Sequence, residues 1–325
     1  RECKIMIAKT TDMNEVTTGQ SWVVGKAKTS KGMFRANERV MLFEGVTTAL
    51  DYIDQNLPTA KCDKSSLESS GHAGNSFKSY KEAMDTFRNK PESVVKYDPT
   101  ELHAAEYGEQ GNDLEYDVTG DFIDVGRVLE GVPEQFGSLH NGNPRNRRIR
   151  IVVGLSQGAR TTPQSINHRS ERIIRLVDAL ENTNVRTEIL AIDSNGCSHT
   201  EIIVKRFDES LVIEDVAVAT NVDFFRRMLF RASEWSDTWQ DGYGSSKIIS
   251  RNLKELKSEL NDEVTIYVDG NLESPSGFFG SYGSNKTIDQ LFEELETIIE
   301  KELQEEVPTI NLIELNKEEV KVTKL

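Results

Sequence analysis

The sequence predicts an α/β (or α+β) fold, a mixed twisted sheet with flanking helices, one βαβ unit at about 148–193 and a small N-terminal β-hairpin region. Three observations carry this expectation. Ile149, Ile151, Val152 and Val153 form a short apolar strand that leads, through a loop and a long amphipathic helix, into a second strand. A second long helix with an unbroken apolar stripe lies near the C-terminus, and isolated apolar runs of strand length punctuate the rest.

Taken in order, residues 4–9 and 21–28 read as strands, and Thr29, Ser30, Lys31 and Gly32 as a turn into a returning strand over 33–43. Helices are expected over 47–56 and 80–89, the second capped by Ser79 and stopped by Pro91. The Ser- and Gly-rich stretch 61–76 reads as a surface loop. In the βαβ unit the helix runs from about 164 to 181, with Ile166, Ile173, Val177 and Leu180 on one face and Ile174 and Leu176 at its flanks. Strand 187–192 follows, which predicts a parallel pair with a right-handed crossover. A strand at 202–207, an amphipathic helix through Phe224, Phe225, Met228, Leu229 and Ala232, and a strand at 264–268 come next. Ile288, Leu291, Phe292, Leu295, Ile298, Ile299 and Leu303 then stripe a helix that ends before Pro308. The residues after Pro308 read as a strand or a tail. The expected division is a β-rich N-terminal subdomain (1–60), a loop (61–76), a main α/β domain (77–306) and an acidic C-terminal tail (307–325).

Charge is distributed unevenly. The chain of 325 residues carries net charge -15, which excludes a protein that binds nucleic acid through a globally basic surface but leaves a local patch open. Residues 98–130 hold ten acidic side chains against Arg127 alone, net -9. Residues 145–175 reverse the sign: Arg145, Arg147, Arg148, Arg150, Arg160, Arg169, Arg172 and Arg175 face only Glu171, net +7. The final stretch from Ser284 is net -6. A smaller basic run, Lys26, Lys28, Lys31, Arg35 and Arg39, lies near the N-terminus. No apolar run is long enough to span a membrane, so no membrane association is expected, and Cys3, Cys62 and Cys197 are too few and too scattered for a disulfide framework. A cytoplasmic protein is expected.

Few motifs carry chemistry. Gly154-Leu155-Ser156-Gln157-Gly158 has the GxSxG spacing of a nucleophile elbow, but Thr161, Thr162 and Pro163 delay the helix that should start there. The five histidines form no metal-ligand pair, no P-loop exists, and no cofactor or metal is expected. Asp51 with Asp54, and Asp121 with Asp124, read as solvated helix starts. Arginine forks bind phosphate bidentately and stack on bases, so eight arginines without lysine point to a recognised polyanion. Single-stranded nucleic acid also requires aromatic faces for unpaired bases. Trp22 and Phe34 accompany the basic residues of the N-terminal hairpin, and Phe278, Phe279 and Tyr282 sit in a Gly/Ser loop. The alternatives are that the arginines pair with the acidic block at 98–130, and that the aromatic loop folds over the core.

The order strand, polar loop, long helix, strand around 148–193 resembles the von Willebrand A layout. That family places DxSxS after the first strand to anchor a divalent cation. Here Gly154 stands for the Asp and Gly158 for the second Ser, and only Ser156 agrees. The resemblance therefore implies the architecture without the metal site. A second resemblance rests on Asn75-Ser76-Phe77-Lys78-Ser79-Tyr80-Lys81-Glu82-Ala83, on Tyr116-Asp117-Val118-Thr119-Gly120-Asp121-Phe122-Ile123-Asp124-Val125-Gly126-Arg127, and on the unit from Arg148 to Asp193. Over roughly 75–235 the chain resembles the Drc-type single-stranded-DNA-binding RNA polymerase cofactors of short-tailed phages. That resemblance implies a non-enzymatic protein of the host cytoplasm whose partners are single-stranded DNA and the phage RNA polymerase, with self-association on DNA. The expected function is sequence-tolerant single-stranded DNA binding in phage transcription. The alternative is a von Willebrand A-like scaffold or virion protein that makes protein contacts without metal.

Overall fold

The computed structural model describes residues 13–19, 21–27, 39–56, 77, 79–95, 112–117, 122–123, 125–129, 131–133, 135–141, 147–155, 162–182, 185–194, 198–221, 223–229, 264–270, 272, 286–304, 310–316 and 319–324. Among the described residues, twelve strands form two sheets. β1 (Met13–Thr18), β2 (Trp22–Ala27), β3 (Arg39–Phe43), β7 (Arg148–Gly154), β8 (Arg186–Ser194), β9 (Ser198–Lys205), β10 (Val264–Val268), β11 (Ile310–Leu315) and β12 (Val320–Lys324) make one mixed sheet in the order β1-β2-β3-β9-β8-β7-β10-β11-β12. A small antiparallel sheet, β4-β6-β5, is built from β4 (Asn112–Asp117), β5 (Phe122–Ile123) and β6 (Phe136–Asn141). The α/β class with a mixed sheet and flanking helices is as the sequence predicts.

The centre of the large sheet is parallel. β7 pairs in parallel with β8 on one side and β10 on the other, and β10 pairs in parallel with β11. A strand enclosed in this way has no solvent face, which is why β7 reads as a continuous apolar run and not as an alternation. Ile149, Ile151 and Val153 pack on one face with the helices. Val152 points the other way, into a second cluster with Leu190, Ile192, Ile203, Tyr267 and Leu312.

The helices are α1 (Val46–Asn56), α2 (Tyr80–Asn89), α3 (Val125–Leu129), α4 (Pro163–Asn182), α5 (Ile213–Ala219) and α6 (Ile288–Gln304), with a π-helical turn at Asp223–Leu229. α4 begins with Pro163, whose missing N–H costs nothing there, and Thr162 Oγ1 accepts from the Ser165 amide at 3.2 Å. α2 starts as predicted, with Ser79 Oγ accepting from the Glu82 amide at 3.1 Å. α6 opens with a reciprocal box: Thr287 Oγ1 accepts from the Gln290 amide at 3.3 Å, and Gln290 Oε1 accepts from the Thr287 amide at 2.9 Å. The stripes of α4 and α6 are buried in the same cluster as α1, α2 and α5.

Several expectations are corrected. The N-terminal strands are continuous with the main sheet, because β3 pairs in parallel with β9 over Arg39–Phe43. The residues after Pro308, open between a strand and a tail in the sequence, supply β11 and β12, whose Ile310, Leu312, Ile313 and Leu315 are buried. Its glutamates disguise a strand whose alternate positions face the core. β1 and α5 were not foreseen, since six and seven residues are too few for periodicity to distinguish. The expected strand at 4–9, the loop at 61–76 and the turn at 29–32 lie outside the described residues.

Asp51 and Asp54 are not merely solvated: Arg88 of α2 pairs with both, at 2.9 and 3.3 Å, tying α2 to α1. Replacing Thr287 by Ala removes one arm of the α6 box and is expected to lower stability by about 1 kcal/mol, read as a shifted urea midpoint with unchanged slope.

Candidate functional site at the carboxyl end of the sheet

In an open α/β sheet, ligands collect where neighbouring parallel strands send their crossovers in opposite directions. β7 and β10 are such neighbours. β7 continues through α4 to β8 on one side, and β10 continues through α6 to β11 on the other. The carboxyl ends of β7 and β10 therefore form the switch point. There the backbone of Leu155 donates to the Ile192 carbonyl at 2.8 Å and that of Asp269 to the Leu315 carbonyl at 2.9 Å, which carries the ladder past the strand ends.

Among the described residues, a buried cation lies at this end. Arg169, on the first half of α4, is 2% exposed, and its Nη1 donates to the carbonyls of Gly154 and Asp269, both at 3.3 Å. It thus bridges the last carbonyl of β7 and the first after β10. Its Nε and Nη2 are buried and have no hydrogen-bond partner among the described residues. Burial lowers the guanidinium pKa to about 10, while the charges of Asp269 and Tyr267 act to raise it. The group is consequently still cationic at neutral pH.

Tyr267 reaches the same place from the other face of the sheet. Its hydroxyl is buried without a partner among the described residues, and burial, reinforced by Asp269, pushes its pKa well above the usual phenol value. Gly154 exists because of this ring: a Cβ there would collide with the Tyr267 hydroxyl and lie 3.0 Å from the Gly270 amide nitrogen. The glycine is needed for close approach and not for an unusual backbone angle.

The other arginines of the +7 segment do not form the continuous face that the sequence suggested. Alternation along β7 puts Arg150 on the face away from α4, so the sheet separates it from Arg172 and Arg175. Arg150 is buried and pairs through Nε with Glu188, its direct neighbour in β8. Arg147 donates to the Glu302 carbonyl. Arg172 pairs with Glu296 at 2.9 Å and lies over the Phe292 ring at 5.4 Å. Arg175 pairs with Glu171 one turn back, at 2.7 Å. Among the described residues, Arg150, Arg172 and Arg175 meet acids of β8, α6 and α4. Arg148 is exposed and lies over the Phe207 ring at 5.5 Å.

Of the expected N-terminal group, Trp22 packs against Tyr52 with centroids 5.1 Å apart and sits on the main core, so its ring is used internally. Lys26 lies in β2. Arg145, Arg160, Lys28, Lys31, Phe34, Arg35, Phe278, Phe279 and Tyr282 lie outside the described residues, as does Ser156 of the GxSxG spacing. Sequence reasoning counted Arg169 only as one charge of a row, and it passed over Tyr267 and Asp269. The available signal was Tyr267-Val268-Asp269-Gly270, a polar step and a glycine closing a five-residue buried strand.

Among the described residues, no group of three or more His, Cys, Asp or Glu is placed to hold a metal ion. Among the same residues, no helix is long and apolar enough to cross a membrane.

Two substitutions check this geometry. Glu188→Gln strands the buried Arg150 charge and is expected to cost roughly 3–5 kcal/mol, whereas replacing both partners by apolar residues of similar volume restores most of the loss; urea unfolding of the three proteins decides. Gly154→Ala is expected to cost about 1–3 kcal/mol from overpacking, with part recovered when Tyr267→Phe is added.

The family described as Domain of unknown function (DUF7192) matches residues 16–299, a span that takes in β7, α4, β8, β10 and most of α6. No curated protein and no solved structure matches the chain. The switch point and Arg169 thus lie inside the matched region, and the chain belongs to the DUF7192 family.

Proposed function

We propose that this protein is a non-enzymatic binding protein, a scaffold of von Willebrand A-like layout that makes protein contacts at the carboxyl end of its parallel strands without a metal ion. The observation that carries this reading is the switch point between β7 and β10, with a cation built into it. Gly154 replaces the carboxylate that would anchor a metal, and Arg169 supplies positive charge at the same strand end. Three of the arginines that argued for a nucleic-acid face, Arg150, Arg172 and Arg175, pair with acids of the fold.

A second reading, single-stranded DNA binding as a cofactor of a phage RNA polymerase in the host cytoplasm, is favoured by one observation. Arg148 and Arg186 are neighbours in the β7–β8 ladder, both exposed, with the Phe207 ring beside Arg148. Paired arginines beside an aromatic ring are the elements that an unpaired base and its phosphate require.

The two readings place the contact at opposite ends of β7. A photo-crosslinking residue at Thr162, exposed beside the carboxyl end, is expected to capture a protein that the same residue at Arg148 does not. A fluorescent single-stranded oligonucleotide is expected not to bind at low salt. Binding that weakens steeply with salt, and whose salt slope flattens in Arg148→Ala with Arg186→Ala, would overturn the scaffold reading in favour of the second.

A further inference from the structure

Among the described residues, four large apolar side chains stand exposed, and three of them, Ile123 at 54%, Val128 at 42% and Leu129 at 82%, fall within seven consecutive positions. A lone exposed leucine is ordinary. A group confined to the end of β5 and the last turn of α3 is not scatter, and apolar surface gathered in this way marks contact sites. Chain geometry keeps the group together: the link through residue 124 and one turn of helix hold the Cα atoms of Ile123 and Leu129 within about 14 Å of each other.

The backbone beneath the group is fixed at both ends. Gly131, at φ 71°, closes α3 as the left-handed residue of a Schellman motif. Its amide donates to the Val128 carbonyl at 3.1 Å, and the Val132 amide donates to the Arg127 carbonyl at 3.0 Å. On the other side, Ile123 pairs with Phe136 across the β5–β6 ladder, so these two side chains share one face of the small sheet. The cap and the ladder therefore hold Ile123, Val128 and Leu129 in the open.

Charge selects the occupant. Residues 98–130 carry net -9, and Asp121, Asp124 and Glu130 stand one or two positions along the chain from Ile123 or Leu129. Arg127, the single base of that block, is half-buried. An acidic surround repels nucleic acid and anionic lipid, and a second copy of the chain would set the same acids against each other. β5 is the outer strand here and has two residues, too short an edge to template an added strand. A helix about 10–12 Å across, with an apolar face and a basic margin, matches both the width and the charge.

We propose that the exposed apolar group of β5 and α3 is a docking surface for a basic amphipathic helix of a partner protein. Leu129, Ile123 and Val128 receive the apolar face of that helix, and the negative charge of the stretch draws its Lys and Arg side chains to the margin. The surface belongs to the small sheet and not to the carboxyl end of the large one, so it goes beyond the scaffold reading and does not rest on it.

The test is the fluorescence anisotropy of a labelled model peptide titrated with the full chain. The peptide is about 18 residues of Leu and Lys, ordered so that the leucines share one helix face. Saturable binding is expected. The same composition reordered to remove the apolar face, and a Leu/Glu peptide in the original order, are each expected to bind at least about tenfold more weakly. Ile123→Ser combined with Leu129→Ser is expected to weaken the Leu/Lys peptide by about tenfold or more. Val212→Ser, at the fourth exposed apolar position and next to α5, is expected to leave its affinity unchanged. All three positions are exposed, so the urea midpoints of the variants are expected to match the wild type. Absence of saturable binding overturns the proposal. So does equal binding of the reordered peptide, or a loss in Val212→Ser as large as in the double variant, since either makes bulk charge the attraction. The three wild-type titrations decide the matter even where the double variant fails to fold. Crosslinking at Thr162 bears on the scaffold reading alone, so each can fail without the other.

Discussion

The structure depends on β7 being enclosed on both edges and both faces. Its neighbours β8 and β10 are parallel to it, which forces each connection to cross over the sheet instead of turning back. Those crossovers bring α4 and α6 onto one face, where Ile151, Val153, Ile173 and Leu295 share a core. The same enclosure leaves no room for a side chain at Gly154, where the Tyr267 ring closes over the strand end. Burial of one strand thus sets the helix layer, the position of the switch point and the shape of the candidate site.

Burial also decides what the charges are for. Arginine in a core is costly unless its donors are met, and two here pair with carboxylates, Arg150 through Nε with Glu188 and Arg172 through Nη2 with Glu296. Such pairs are weak contributors to stability when intact and costly when broken, so they act mainly to fix strand and helix positions. Lys205 belongs to the same set, buried against Glu181 and the Thr187 carbonyl, where it ties β9 to the end of α4. Arg169 differs from all of them. It is held by the neutral carbonyls of Gly154 and Asp269 and by no carboxylate among the described residues.

This contrast refines the meaning of the net charge. A +7 segment within a chain of -15 suggests a positive surface. In three dimensions three of its eight arginines, Arg150, Arg172 and Arg175, pair with acids, and among the described residues two further positive features lie apart. An exposed pair, Arg148 and Arg186, lies at the amino end of β7 and β8, and a buried fork, Arg169, lies at the other end. Fields this local act over a few ångströms and discriminate by geometry, not by bulk attraction.

Local pattern alone determined much of this protein. Ser79 and Pro91 bounded α2, the Ile166–Leu180 stripe placed α4, and the apolar run after Arg148 marked the central strand, because caps and periodicity act within a few residues of the chain. The apolar stripe from Ile288 located α6 for the same reason. Only the tertiary structure decided that Glu188, Glu296 and Glu302 meet the arginines, that the acidic C-terminal residues close the sheet as β11 and β12, and that Tyr267 meets Gly154. Those contacts join residues as far as 155 positions apart, and no local pattern encodes which strand a crossover returns to. The candidate site was hidden for that reason: Arg169 is one basic residue among eight in the sequence, and only the pairing of β7 with β10 sets it apart.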